Sequence, residues 1–212
     1  MKDIPVFTSE YGVASLFLRE IPYRGRAHIK LQSTQDPALL LNDCIDFCRA
    51  CGATWADASG HDYLESYPRL ATLVEMTAPR EALGETDACL FPVTEETVDA
   101  WRDIYNDRMK DVPNCAFMDS RDGREMRTLG DGYFIHRDGR LLGIGRASGD
   151  RIDTVAAVEK GAGQTVVRAL ASLLQADAVK LLVALENEKA VRLYKSMGFL
   201  PVRQLGCWYR VL

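Results

Sequence analysis

Two short stretches near the C-terminus carry residue types that could do chemistry. Asn187, Ala190, Tyr194, Gly198 and Phe199 spell Asn-x-x-Ala-x-x-x-Tyr-x-x-x-Gly-Phe. On a helix, Asn187, Ala190 and Tyr194 lie along one face, and Gly198 ends the helix. Ala190 allows close approach, and a tyrosine beside a reacting group can deliver a proton. An amphipathic helix with a glycine cap and a core Phe199 explains the last two residues. It does not explain why a polar Asn and a Tyr share a face with a small Ala. In the second stretch an apolar run ends at Val158, and Gly161-Ala162-Gly163 follow before helical spacing begins. Glycine lets a backbone approach a ligand closely. A helix N-terminus presents unpaired N–H groups and a partial positive charge, so this turn can seat a phosphate or pyrophosphate. A tight strand-to-helix turn would leave the same glycines.

These residues need elements to hold them. In the C-terminal half the spacing predicts a helix over 94–110, with Thr94 as cap and Val98, Trp101, Ile104 and Tyr105 on one face. Strands follow over 132–136, 140–147 and 152–158, the first two joined by Asp138-Gly139, a strong hairpin signal. Val166, Val167, Leu170, Leu173 and Leu174 then recur at helical spacing. A strand over 178–185, a helix over 187–196 and closing strands over 201–212 complete the half. A meander followed by strand–helix–strand–helix–strand gives a mixed, mostly antiparallel α/β sheet flanked by helices. The N-terminal half repeats a shorter version of this order. Strands fall at 15–19 and 27–32, a helix at 37–50 with Asp36 as cap and Pro37 in its first turn, and strands at 54–58 and 70–76. The expected domains are 1–85, a degenerate or accessory repeat, and 89–212. The connection at 79–88 is polar and broken by Pro and Gly.

The run from Leu185 to Phe199, preceded by the Gly161-x-Gly163 turn, resembles the signature of the GNAT family, the GCN5-related N-acetyltransferases. The resemblance covers about residues 89 to 212, with its motifs between 153 and 200. It implies that acetyl-CoA is the co-substrate. Ala157, Val158, Glu159, Lys160, Gly161, Ala162, Gly163 and Gln164 would cradle the CoA pyrophosphate. The strands at 153–158 and 179–185 would part to admit the pantetheine arm, with Asn187 and Ala190 against the cofactor. Tyr194 would protonate the departing thiolate, and the backbone N–H near Val158 would polarise the thioester carbonyl. The acceptor implied is a small-molecule or peptide amine that attacks directly. Glu186 is the first candidate for general base; Asp153 and His136 are others. Many family members carry Arg or Gln three residues before the first glycine of the turn, where this chain has Val158 followed by Glu159. That departure keeps open a second reading, a non-catalytic acyl-CoA-binding or regulatory module.

Cys44, Cys48 and Cys51 spell Cys-x-x-x-Cys-x-x-Cys, a spacing able to hold three irons of a [4Fe–4S] cluster. They fall inside an apolar run of helical period, where free cysteine packs as a small apolar residue. Core cysteines are the expectation. His28, His61 and His136 form no metal-ligand spacing, and Ser59-Gly60-His61 reads as a polar turn.

The bulk numbers set the class. The 212 residues are 47% apolar with a net charge of −4, which suits a globular chain with a real core. No basic run suggests nucleic acid. The N-terminus lacks the apolar core of a signal peptide, and no 18-residue apolar stretch suggests a membrane span. The expectation is a soluble, cytoplasmic monomer or homodimer without metal, and free thiols at all six cysteines.

Overall fold

The computed structural model describes residues 5–113 and 115–212. Residues 1–4, read above for a leader, lie outside the described residues. In chain order the elements are β1 (Val6–Ser9), β2 (Gly12–Phe17), α1 (Ile21–Arg24), β3 (Arg26–Thr34), α2 (Pro37–Ala50), β4 (Trp55–Ser59) and β5 (Arg69–Pro79). They continue with β6 (Cys89–Pro92), α3 (Val98–Met109), α4 (Ser120–Leu129), β7 (Gly132–Arg137), β8 (Arg140–Ser148) and β9 (Arg151–Ala157). The last are α5 (Gly163–Ser172), β10 (Ala178–Ala184), α6 (Glu188–Ser196) and β11 (Leu200–Arg210). None of these helices is long and apolar enough to cross a membrane.

The chain forms two compact units. One comprises the described residues up to Thr72 with Leu205–Leu212, and the other is Leu73–Gln204. The division falls inside β5 rather than in the polar connection, and the last residues return to the first unit. Strand pairing explains the return, because Tyr209 lies opposite Ala58 and Arg210 opposite Asp57.

In the first unit β1, β2 and β3 are an antiparallel meander, and β4 joins β3 in parallel. Ala14, Leu16, Ala27, Ile29, Ala56 and Ala58 bury one sheet face against Leu40, Leu41, Cys44 and Cys48 of α2. Pro37 opens α2, and Asp36 caps it by accepting from the amides of Ala38 (3.0 Å) and Leu39 (3.1 Å). Burial pushes the thiol of Cys44 up to about 12 and that of Cys48 up to about 11. Cys44 and Cys48 thus pack as small apolar residues in the core of this unit. Cys51 departs from the core expectation: it is exposed at the C-cap of α2.

On the other sheet face, polar side chains tie β3 to β4. Arg26 donates to Asp57 Oδ2 from Nε (3.0 Å) and a terminal nitrogen (2.7 Å), and His28 Nδ1 bonds Asp57 Oδ1. Ser59 Oγ reaches His28 Nε2 at 3.2 Å, and the Arg26 guanidinium lies 4.4 Å over the Trp55 ring. The two strands stay paired through five residue pairs, Arg26↔Trp55 to Lys30↔Ser59.

The second unit repeats the order meander, helix, parallel strand. Its strands run β5-β10-β9-β8-β7-β6. Helices cover both faces. Trp101, Met109 and Met126 of α3 and α4 pack with Phe134, Ile144 and Ala156. Val166, Val167 and Leu170 of α5 and Tyr194 of α6 pack with Ile135, Leu181 and Val183. The alternation of Phe134 and Ile135 between the two cores is the period of a strand buried on both sides.

Gly145 on β8 sets how closely α5 sits. A Cβ there would lie 2.7 Å from the Thr154 carbonyl oxygen and would run into Leu170 of α5. The backbone oxygen cannot swing aside, so Gly145→Ala should lower unfolding stability by about 2 kcal/mol. A denaturation midpoint equal to wild type would show that α5 tolerates the methyl.

Candidate functional site

The site begins where two parallel strands stop pairing. β9 and β10 pair only at Arg151↔Lys180 and Ile152↔Leu181. Each keeps its outer partner: β9 follows β8 as far as Ala157↔Gly143, and β10 follows β5 as far as Ala184↔Leu73. A cleft of about 420 Å³ opens between them, walled by Asp153–Ala157 of β9 and Leu181–Ala184 of β10. Backbone groups on the two inner edges lose their sheet partners there, and such groups demand others from solvent or a ligand.

Residues from two further elements complete the wall. Asn187, Ala190 and Tyr194 come from α6 and its cap, and Tyr105, Arg108 and Met109 from α3. Cys115 and Ala116 follow in the connection to α4. Asn187 is the N-cap of α6, its Oδ1 accepting from the Ala190 amide at 3.3 Å. That bond accounts for a polar residue at the start of this helix face. Tyr194 is 7% exposed and packs edge-on against Phe199, with ring centroids 5.8 Å apart. Burial pushes its phenol up to about 12, with Cys115 adding to the shift. At neutral pH Tyr194 therefore holds its proton and can donate it.

Beyond β9 the chain turns into α5. Gly161 takes φ +86°, a left-handed conformation that disfavours other residues. Gly163 opens α5, and a Cβ there would press on Leu193 of α6 at 2.9 Å, so this glycine also has a packing reason. Ala162 is the N-cap, and no side chain caps the helix. Val166 donates to the Ala162 carbonyl at 3.0 Å. The amides of Gly163, Gln164 and Thr165 thus precede the first intrahelical bond, and the positive end of the helix is open. Glu159 and Lys160 are exposed on the turn. The Gln164 side chain donates to Ser196 Oγ at 3.2 Å, tying the start of α5 to the end of α6.

The structure thus brings Ala157, Asn187, Ala190 and Tyr194 together in the cleft and places 159–164 in the adjoining turn. Three readings change. The Val158 amide donates to the Leu142 carbonyl at 2.9 Å, as does the Glu159 amide at 3.1 Å, so Val158 is not free to polarise a thioester. The alternation of an antiparallel ladder turns the Ala157 amide to the opened side instead. Glu186 is exposed in the turn after β10 and is not among the residues that line the cleft. His136 lies on β7 against Phe91 and does not line it either. Of the three candidate bases only Asp153 is in the cleft wall, and desolvation there raises its carboxyl against the pull of Arg146 and Arg151. Sequence reasoning missed Arg108, whose guanidinium donates to the Val158 carbonyl at 3.2 Å. The two residues are 50 apart in the chain, and no local pattern joins them.

The buried phenol has a measurable consequence. In the unfolded chain Tyr194 ionises near 10.0, while in the fold it keeps its proton to about 12. Stability present below pH 10 should therefore fall as pH rises through 10 to 12, by up to about 3 kcal/mol from this group. Tyr194→Phe should lose less stability over that interval. Identical alkaline unfolding curves for the two proteins would mean that the phenol is not buried in its neutral form.

No protein-family model matches the sequence, and no curated protein matches it significantly. Solved structures do match. A functionally unknown conserved protein from Staphylococcus epidermidis superposes with TM-score 0.60 at 14% identity, covering 99% of this chain and 94% of that one. A GCN5-related N-acetyltransferase from Anabaena variabilis gives TM-score 0.62 at 12% identity, covering 98% of this chain and 58% of that one. A tandem GNAT protein from the clavulanic acid biosynthesis pathway gives TM-score 0.54 at 12% identity, covering 97% of this chain and 81% of that one. With its meander, parted parallel strands and uncapped α5, this chain has a GNAT-like fold.

Proposed function

We propose that the second unit is an acyltransferase that moves the acetyl group of acetyl-CoA to a primary amine of a small molecule or peptide. The observation that carries this reading is the parting of β9 and β10 beside Tyr194, with the open N-terminus of α5 close by in the chain. A pantetheine arm contains two amides and is narrow and extended. It would satisfy the backbone edges exposed by the parting, as a third strand would. The amides at the start of α5 and the Gly161 turn suit a pyrophosphate.

The reaction is then a direct displacement. Asp153 takes a proton as the amine attacks the thioester carbonyl, forming the C–N bond. Its raised carboxyl is a better base near neutral pH than an ordinary aspartate. The Ala157 N–H faces the developing oxyanion. As the C–S bond breaks, Tyr194 gives its proton to the departing thiolate. Glu159 beside the anion-binding turn favours the second reading, a unit that binds acyl-CoA without turning it over.

The first unit argues for one site per chain. Its helix α2 is capped by the Asp36 carboxylate, which occupies the place an anion would take. Its parallel strands β3 and β4 stay paired along five positions. Titration calorimetry should therefore give one acetyl-CoA per chain, and a stoichiometry of two would overturn this account of the first unit. With a responsive amine from a panel of amines, amino acids and aminoglycosides, Tyr194→Phe should lower kcat roughly 100-fold in a thiol-release assay. Asp153→Asn should lower kcat and remove the rise of rate with pH. Acetyl-CoA affinity should change little in either variant. Tight binding without thiol release across the panel would favour the binding module, and no binding would sink both readings.

A further inference from the structure

We infer that Arg108 supplies the cation for the diphosphate of the acyl donor, and so selects CoA thioesters over donors that end at the pantetheine. The inference rests on the acetyl-CoA reading above.

A diphosphate at the start of α5 meets the partial positive end of the helix but little full positive charge. The turn offers Lys160, but Glu159 precedes it and Val158 is apolar. The amides of Val158 and Glu159 are already given to the Leu142 carbonyl. The turn and the first amides of α5 thus supply little net positive charge for a dianion. The missing charge comes from α3. Arg108 lies near the C-terminal end of α3, where a cation is favoured by the helix dipole. The residue spans two environments. It lines the cleft together with Ala157, Asn187 and Tyr194, and it donates to the Val158 carbonyl at the mouth of the turn.

That single bond fixes where the guanidinium sits while using only part of its donor set. Arginine carries five N–H donors in a rigid fork suited to phosphate oxygens. Its nearest acid is Asp107, 3.9 Å from Nε and itself held by Lys110 at 2.9 Å, so that carboxylate does not compete strongly. The side chain keeps 44% of its surface open, which leaves room for an anion to approach. Arg108 is a binding residue for the donor and takes no part in proton transfer.

The test compares two donors that share the reacting end. S-Acetylpantetheine carries the thioester and the arm but no diphosphate. Arg108→Ala should raise the calorimetric Kd for acetyl-CoA about tenfold and flatten its dependence on salt. Its thermal unfolding midpoint should match wild type, and its kcat/KM should fall much further with acetyl-CoA than with S-acetylpantetheine. Arg108→Lys should recover part of the affinity, as a point charge without the fork. Unchanged acetyl-CoA affinity in Arg108→Ala overturns the inference and leaves the acetyl-CoA reading standing. Equal weakening with both donors also overturns it, because the residue would then be shaping the cleft. Wild-type protein that binds no acetyl-CoA removes the acetyl-CoA reading itself, and this inference with it.

Discussion

The structure of the second unit turns on how few hydrogen-bonded positions join β9 to β10. Two pairs hold the strands at one end. Past Ile152 and Leu181 each strand stays with its outer neighbour and parts from the other. Ala157, Asn187, Ala190 and Tyr194 all line that opening. Tyr194 and Ala190 reach it because α6 starts at the Asn187 cap three residues after β10 ends. Asp153 reaches it as the first residue of β9 beyond the last pair. A parted sheet is costly, since buried backbone groups lacking partners lose about a hydrogen bond each. It persists here because helices pack against both faces of the sheet, and because Gly145 lets α5 lie close against β8.

The first unit is the internal control. It has the same order of meander, helix and parallel strand, yet its parallel pair stays closed. Arg26, His28, Asp57 and Ser59 bridge β3 and β4 with charged and neutral hydrogen bonds. The helix termini differ in the same sense. Asp36 fills the positive end of α2, whereas the end of α5 has no side-chain cap. One element order therefore gives a parallel pair that stays closed over five positions in one unit and one that parts after two in the other.

Much of the framework was legible locally. Helix α2 starts and stops where Asp36, Pro37 and the apolar spacing place it, because capping and periodicity are properties of a short segment. The meander β7–β8–β9 followed from Asp138-Gly139 and alternating residues. Four elements escaped, among them the single-turn helix α1, only four residues long. Strands β1 and β6 are four residues each and half-exposed, too short for a pattern. Helix α4 is strongly polar, and its signal was a capping box made of Asp119 and Asp122 rather than apolar spacing. Helix α3 starts later than Thr94 suggested, because the Thr94 hydroxyl turns to Glu96 and Thr97 and does not cap.

The sequence by itself determined the fold class, the turn around Gly161, and the face that carries Asn187, Ala190 and Tyr194. Each is written in residues within a few positions of one another, and short-range rules of helices, strands and turns read them. Only the tertiary structure decided which polar groups share the cleft. It set Glu186 and His136 outside, kept Asp153 inside, and spent the Val158 amide on Leu142. It also carried Arg108 to a turn 50 residues away. Those outcomes depend on strand register and on how closely helices approach the sheet. Both are fixed by contacts between distant segments, which no local pattern records.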